Sequence, residues 1–250
     1  MLFLFPLLSL LPRIVYLLAA LLPAFVLLRY VYRHDRIEKE PTSLLISLLI
    51  GGCLSAIASG FLEGIGEYLL HFFLTPDSKL YIIALAFLVV AAVEEGTKLY
   101  FLKRRSWYHP AFNYRFDGVV YAVFTSLGFA ALENVQYIAR YGLSVALPRA
   151  LTAIPGHMSF AVFMGVYYAR AKDLDNHGDP EGARRALLTG YLLAVFLHGF
   201  YDSCAMLGTG LASFAFLAFI ILVFFHAFHT VKLEADADHP ITPFDPPFER

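Results

Sequence analysis

The chain has 250 residues, 59% of them hydrophobic and only 16% charged, with a formal net charge of −1 and a mean hydropathy of +0.64. A water-soluble domain is about a quarter charged, so this composition excludes an ordinary soluble globule. Near-neutral charge, with basic residues in short clusters rather than one patch, gives no sign of a nucleic-acid partner.

Several apolar runs of roughly 18–24 residues are each long enough to cross a hydrocarbon core of about 30 Å. They predict an all-α, polytopic membrane protein with about seven spans: 13–32, 42–62 (with an extension toward 74), 80–102, 118–139, 149–171, 187–206 and 211–230. The opening stretch "MLFLFPLLSLLP" lacks a basic flank and a small-residue cleavage pattern, and reads as a retained first span rather than a signal peptide. Pro41 precedes the second span, Pro76-Asp77 the third and Asp117-Gly118 the fourth, where Asp117 is placed to cap the helix. Cys53 and Cys204 each lie in an apolar run and read as small packing residues.

Lysine and arginine alternate along the loops. The first loop carries Arg29, Arg33, Arg36 and Lys39, the third Lys103, Arg104, Arg105 and Arg115, and the fifth Arg170, Lys172, Arg184 and Arg185. The second has Lys79 only, the fourth Arg140 and Arg149, and the sixth none. By the positive-inside rule the odd loops and the C-terminus are cytoplasmic and the N-terminus is outside. Residues 1–232 form one transmembrane domain in this reading. The acidic, proline-rich stretch 233–250 is a disordered cytoplasmic tail.

Ionisable groups at bilayer depth are costly and mark function by default. Glu94 and Glu95 fall near the middle of the third span, Glu133 of the fourth, His157 of the fifth and His198 of the sixth. At 1.5 Å per residue each lies within about 6 Å of mid-span. Four helices thus bring carboxylates and imidazoles to one depth, around a polar cavity opening to one membrane face.

Lys98 is one turn beyond Glu94 and within reach of Glu95, so it can hold one carboxylate ionised and leave the other as a general base. Asp202 is one turn beyond His198 and can orient that ring. Alone, each group has a plainer reading: a structural ion pair, interhelical hydrogen bonding by Glu133 and Asn134, and a turn cap by His157 beside Pro155-Gly156. Glu63, Glu67 and His71 share one face of the second helix and read as an amphipathic extension at the headgroups, with metal binding as the alternative. No serine or cysteine stands beside a base; Ser126 and Ser159 read as packing residues.

Four motifs occur in order: "EEGTK" (Glu94, Glu95, Lys98), "FAALEN" (Phe129 to Asn134), a histidine in the fifth span, and "HGFYD" (His198 to Asp202). With "DRIEKEP" and "FDGVVYAVF" they make the chain resemble the PrsW family of bacterial intramembrane proteases over about residues 20 to 230, a family similar to the CAAX prenyl protease and bacteriocin-processing superfamily.

The resemblance implies hydrolysis of peptide bonds in membrane-anchored proteins, such as an anti-sigma-factor-like regulator, in a bacterial cytoplasmic membrane. It implies catalytic roles for Glu94, Glu95, Glu133 and His198: Glu94 activates water, Glu95 is held by Lys98, and His198 with Asp202 stabilises the oxyanion. Asn134 and His157 support them. Glu133 stands where the wider superfamily has histidine. No cofactor is favoured; a divalent metal such as zinc remains the alternative, with Glu94, Glu133, His157 and His198 as ligands. The partners implied are the substrate and the bilayer. A proton- or cation-coupled transporter, or a non-catalytic scaffold, would use the same polar core.

Overall fold

The computed structural model describes residues 4–76 and 78–241, with side chains from Arg13 onward. Seven helices among them are long and apolar enough to cross a membrane: α1 (Leu4–His34), α2 (Thr42–Leu70), α3 (Lys79–Ser106), α4 (Asp117–Tyr141), α5 (Ala153–Asn176), α6 (Pro180–Leu207) and α7 (Gly210–Asp236). The protein is an all-α polytopic membrane protein. Most helices extend past their expected spans by a few residues at one end or both, because apolar composition marks the hydrocarbon-crossing part and not the polar turns at the ends; α5, expected from 149, starts instead at Ala153, after the non-helical backbone of Thr152.

The helix ends follow local chemistry. Ser78 accepts from the Tyr81 amide, Asp179 from that of Gly182 and Thr209 from that of Ala212, each at the start of a helix. Asp117, expected to cap α4, does something else. It is the first helical residue, and its Oδ2 reaches back to accept from the Asn113 and Tyr114 amides (3.0 and 2.7 Å). Phe116 is the N-cap residue and no side chain among the described residues caps the helix; the Phe116 amide itself donates to Asp238 Oδ1 at 2.8 Å. Asp77 lies outside the described residues.

α3 changes character along its length. Leu85–Ala91 winds as a π-helix between two α-helical parts. Such widened turns insert one residue into the helical repeat and are frequent at functional sites.

Helices α2, α4, α5, α6 and α3 pack in that order into a ring, α3 closing it against α2 and α6. α1 lies outside against α4, and α7 outside against α5 and α6. α4 is the most enclosed helix, while α1 and α7 show most of their apolar surface to the surroundings. Small residues set the closest crossings: a Cβ on Gly52 of α2 would run into the α4 backbone at Thr125 and Phe129, and one on Gly128 of α4 into Leu49.

The segments 35–41, 107–116 and 177–179 gather at one end of the ring with the chain beyond α7. Arg115 pairs with Glu234 at 2.9 Å, the Asn176 side chain donates to the Ile241 carbonyl at 2.7 Å, and the Ile241 amide donates to the Asn113 carbonyl at 2.8 Å. Residues 233–241, assigned above to a disordered tail, are helical to Asp236 and then pinned with Ile241 fully buried. The acidic side chains that suggested disorder serve as partners here. Residues 242–250 lie outside the described residues.

Glu40 is buried at this end. Its carboxyl meets the Tyr121 hydroxyl, which also reaches the Ala111 carbonyl at 2.9 Å. One hydroxyl proton serves both contacts if Glu40 is itself protonated and donates to the tyrosine oxygen. Burial pushes the Glu40 carboxyl up to about 7 and that of Asp35 to about 6. A carboxyl held above its ordinary value in the folded chain contributes stability at low pH and loses it as pH climbs through the raised value. Thermal unfolding in detergent should therefore show a melting temperature that falls between about pH 5 and pH 8, by on the order of 5 °C for the Glu40 contribution. Glu40→Gln should flatten that part of the profile; an unchanged slope would refute the assignment.

Candidate active site

The π-helical stretch ends one turn before Glu94, and α3 then presents Glu94, Glu95 and Lys98 to the interior of the ring. α5 brings His157 and α6 brings His198; all five are at most 5% exposed. Buried charges are tolerated only when paired, and these are. The Lys98 ammonium lies 3.0 Å from Glu94 Oε2, 2.8 Å from Glu95 Oε1 and 3.2 Å from His157 Nδ1. It also sits 3.9 Å above the Phe129 ring. The sequence reading gave Lys98 one carboxylate; in the structure it holds both.

An ammonium has no lone pair, so His157 Nδ1 must accept from it and the ring proton is on Nε2. That nitrogen donates to Glu133 Oε2 at 3.1 Å. Glu133 also takes a hydrogen bond from Arg149 Nη2 at 2.7 Å. The same arginine donates through Nε to Asn134 Oδ1 at 2.9 Å, and the Asn134 amide donates to the Ala20 carbonyl of α1 at 2.8 Å. Asn134 thus locks Arg149 and joins α1 to α4.

Two carboxylates hold the His198 ring, Asp202 as the spacing expects and Glu95 besides. Its Nδ1 is tied to Glu95 Oε1 at 2.8 Å, so Glu95 fixes the ring. Asp202 instead approaches Nε2, at 3.3 Å, with Glu94 Oε2 at 3.9 Å from the same nitrogen. Phe160 stacks on the imidazole at 5.1 Å between centroids.

Glu94, Glu133, His157, His198 and Asp202 line a cavity of about 300 Å³; Glu95 lies behind its wall. The rest of the lining comes from the later parts of α2, α4 and α6 and from the stretch leading into α5. The cavity therefore lies toward the end of the ring opposite 35–41, 107–116 and 177–179. The face of Glu63, Glu67 and His71 divides. Glu63 lines the cavity, whereas the Tyr81 hydroxyl contacts His71 at 2.8 Å and Glu67 at 3.5 Å.

One ligand atom from each of Glu94, Glu95, His157 and His198 lies within 4.8 Å of the others. Compared with the metal set expected from sequence, Glu95 joins this group in place of Glu133. Two imidazoles and two carboxylates are zinc-type donors, so the donor chemistry fits a divalent ion. Lys98 already presents its positive charge to three of the four residues, and an ion bound there would take the place of that ammonium.

Sequence reasoning passed over Arg149, counted only as a loop charge, and Phe160 and Tyr201 in the cavity wall, where Phe129 of the "FAALEN" motif joins them. The signal for Arg149 was present: an arginine eight residues before an intramembrane histidine can reach the carboxylates at that depth. For Phe160 and Tyr201 the sequence carries no such signal.

Comparison with known proteins is consistent with this geometry. A family model described as PrsW family intramembrane metalloprotease matches residues 40–228. The protease PrsW of Oceanobacillus iheyensis is 32% identical over 216 residues, covering 86% of this chain and 93% of its own. That of Geobacillus kaustophilus is 33% identical over 186 residues, 74% of this chain and 76% of its own. The Bacillus subtilis protein is 29% identical over 185 residues, 74% of this chain and 79% of its own. No solved structure matches. The transport alternative gains no support from any of these.

Proposed function

This chain belongs to the PrsW family of intramembrane proteases, and from that premise we propose that it cuts membrane-anchored proteins with a water activated by Glu94. The observation that carries the assignment is the asymmetry between the two adjacent glutamates. Glu94 faces the cavity with His198 Nε2 3.9 Å from its Oε2, while Glu95 is enclosed and already accepts from both Lys98 and His198.

In this reading Glu94 takes a proton from water as the oxygen attacks the scissile carbonyl. His198, fixed by Glu95, turns its Nε2, which Asp202 holds at 3.3 Å in the resting site, to the developing oxyanion. Glu94 then returns the proton to the departing amine, leaving one carboxylic acid and one amine. Glu133, braced by Arg149 and His157, closes the opposite side of the cavity. Lys98 holds the two glutamates in place against their mutual repulsion. A divalent ion, if held by Glu94, Glu95, His157 and His198, would supply Lewis acidity toward the same water; we favour the ammonium as the cation at this centre.

The loop charges support an orientation with 35–41, 107–116 and 177–179 in the cytoplasm. The cavity then opens away from the cytoplasm, and substrates meet it at the outer end of their membrane span. Bacterial relatives support residence in the cytoplasmic membrane.

The test uses purified protein in proteoliposomes and a panel of single-span peptides, with products read by mass spectrometry. We expect cuts near the outer end of the span, unaffected by a chelator. Activity lost on chelation and restored by zinc would overturn the ammonium-centred form. Cleavage that survives Glu94→Gln would overturn the base assignment.

A further inference from the structure

α2 forms the one wall of the cavity that the mechanism above leaves without a task. Ala56, Ser59, Gly60 and Glu63 face the cavity from that helix. Glu63 is half-buried and its carboxyl is met by the Ser59 side chain one turn back, but its Oε1 is enclosed and has no hydrogen-bond partner among the described residues. Two other side-chain atoms share that condition, Asp35 Oδ2 and Asn113 Oδ1, and both belong to the opposite end of the ring. The other carboxylates around the centre are matched: Glu94 and Glu95 by Lys98, Glu133 by Arg149 and His157, and Asp202 by the His198 ring.

A buried carboxylate oxygen without a donor is destabilising, and a ligand that supplies the donor removes that cost. The chemistry of that ligand follows from what surrounds Glu63. Five carboxylates (Glu63, Glu94, Glu95, Glu133 and Asp202) share this region with two permanent cations, Lys98 and Arg149, both already engaged. An incoming positive charge is therefore favoured over a neutral donor. The shape agrees. A Cβ at Gly60 would meet nothing within 4 Å, and Ala56 and Ser59 are small, so a shallow trough runs along α2 to the carboxylate. A long aliphatic stem can lie in such a trough with its charged head at the end.

We infer that Glu63 closes a specificity subsite for a lysine or arginine side chain of the substrate, next to the bond cleaved at Glu94. The inference rests on the protease reading of the cavity. The carboxylate fixes which stretch of a membrane-anchored chain is drawn into register. A basic residue at the end of a span is also where snorkelling would carry it toward the headgroups, so the subsite selects the margin of a substrate helix over its apolar middle.

The test uses three single-span peptides identical but for one residue at the outer end of the span, which is lysine, glutamine or glutamate. Binding to wild type and to Glu63→Gln is followed by fluorescence anisotropy in detergent, and cleavage of the same peptides in proteoliposomes. We expect wild type to prefer the lysine over the glutamine peptide by about tenfold, the scale of a charge-assisted hydrogen bond, in binding and in kcat/KM. Glu63→Gln should bring the ratio to within about twofold of one, and Glu63→Lys should turn the preference toward glutamate.

Equal binding of all three peptides by wild type would overturn the inference. So would a lysine preference that survives Glu63→Gln, or a wild-type preference for glutamine, which would make the partner a neutral backbone donor. Glu63→Gln is near-isosteric, and a melting temperature measured alongside separates misfolding from lost selectivity. Because the binding ratio does not depend on turnover, absence of Glu94-dependent cleavage would count against the protease mechanism without touching the subsite.

Discussion

Glu94→Gln should lower the rate of peptide cleavage by about 10³-fold or more while leaving the protein folded. A general base is worth roughly 10²–10⁴ in rate, and glutamine keeps the size and hydrogen-bonding reach of the side chain but cannot take a proton. The Lys98 ammonium would still be held by Glu95 at 2.8 Å, so the helix has little reason to move. Glu95→Gln is the informative contrast. Its side chain does not reach the cavity, and its work is to fix His198 Nδ1 and Lys98. A positioning residue of this kind should cost about tenfold in kcat, with KM little changed. Its optimum pH should shift with the altered His198 environment. Purified variants compared in the proteoliposome assay decide the matter: equal losses for the two glutamates would erase the distinction between base and positioner.

The second large effect is on stability. Lys98→Met removes the one cation held by Glu94, Glu95 and the His157 ring together. Breaking a buried pair while leaving its partner charged costs about 3–5 kcal/mol, here with two carboxylates stranded. For a chain of this size that corresponds to a fall in melting temperature on the order of 10 °C, with complete loss of cleavage. The double variant Lys98→Met with Glu95→Gln should recover a good part of the lost stability, since one of the stranded charges is gone. A double-mutant cycle read by thermal unfolding measures that coupling. Additive losses would show that Lys98 acts through packing over Phe129 rather than through charge.

Much of this site is legible in the chain because the membrane makes its residues conspicuous. An apolar span has few reasons to contain Glu94, Glu133, His157 or His198, and a fixed rise per residue converts their positions into a common depth. Depth, however, says nothing of angle. It does not reveal that Glu95 rather than Asp202 is bonded to His198 Nδ1, that Arg149 folds in from a connecting stretch to reach Glu133, or that Glu63 turns inward while Glu67 and His71 turn toward Tyr81. Those outcomes depend on which helices close the ring and how far each is rotated. The stretch 233–241 shows a related limit: composition registers acidic residues but not the Arg115 and Phe116 groups that Glu234 and Asp238 meet from far along the chain.

The π-helical part of α3 explains why angle was the missing quantity. Its buried positions form two rows that step by five residues, Tyr81, Ala86 and Ala91 beside Ala84, Val89 and Glu94, and beyond it a row steps by four, through Glu94, Lys98, Leu102 and Ser106. One continuous rod therefore carries two different rhythms, and the wider turn is the gear between them. The first half is free to keep Leu80, Ile83 and Leu88 against lipid, and the second to aim its carboxylates inward. Neither half has to compromise its own bearing. A protease that must be greasy outside and wet at its centre gains from this a way to tune the direction of its base without recutting the membrane-facing surface that anchors it.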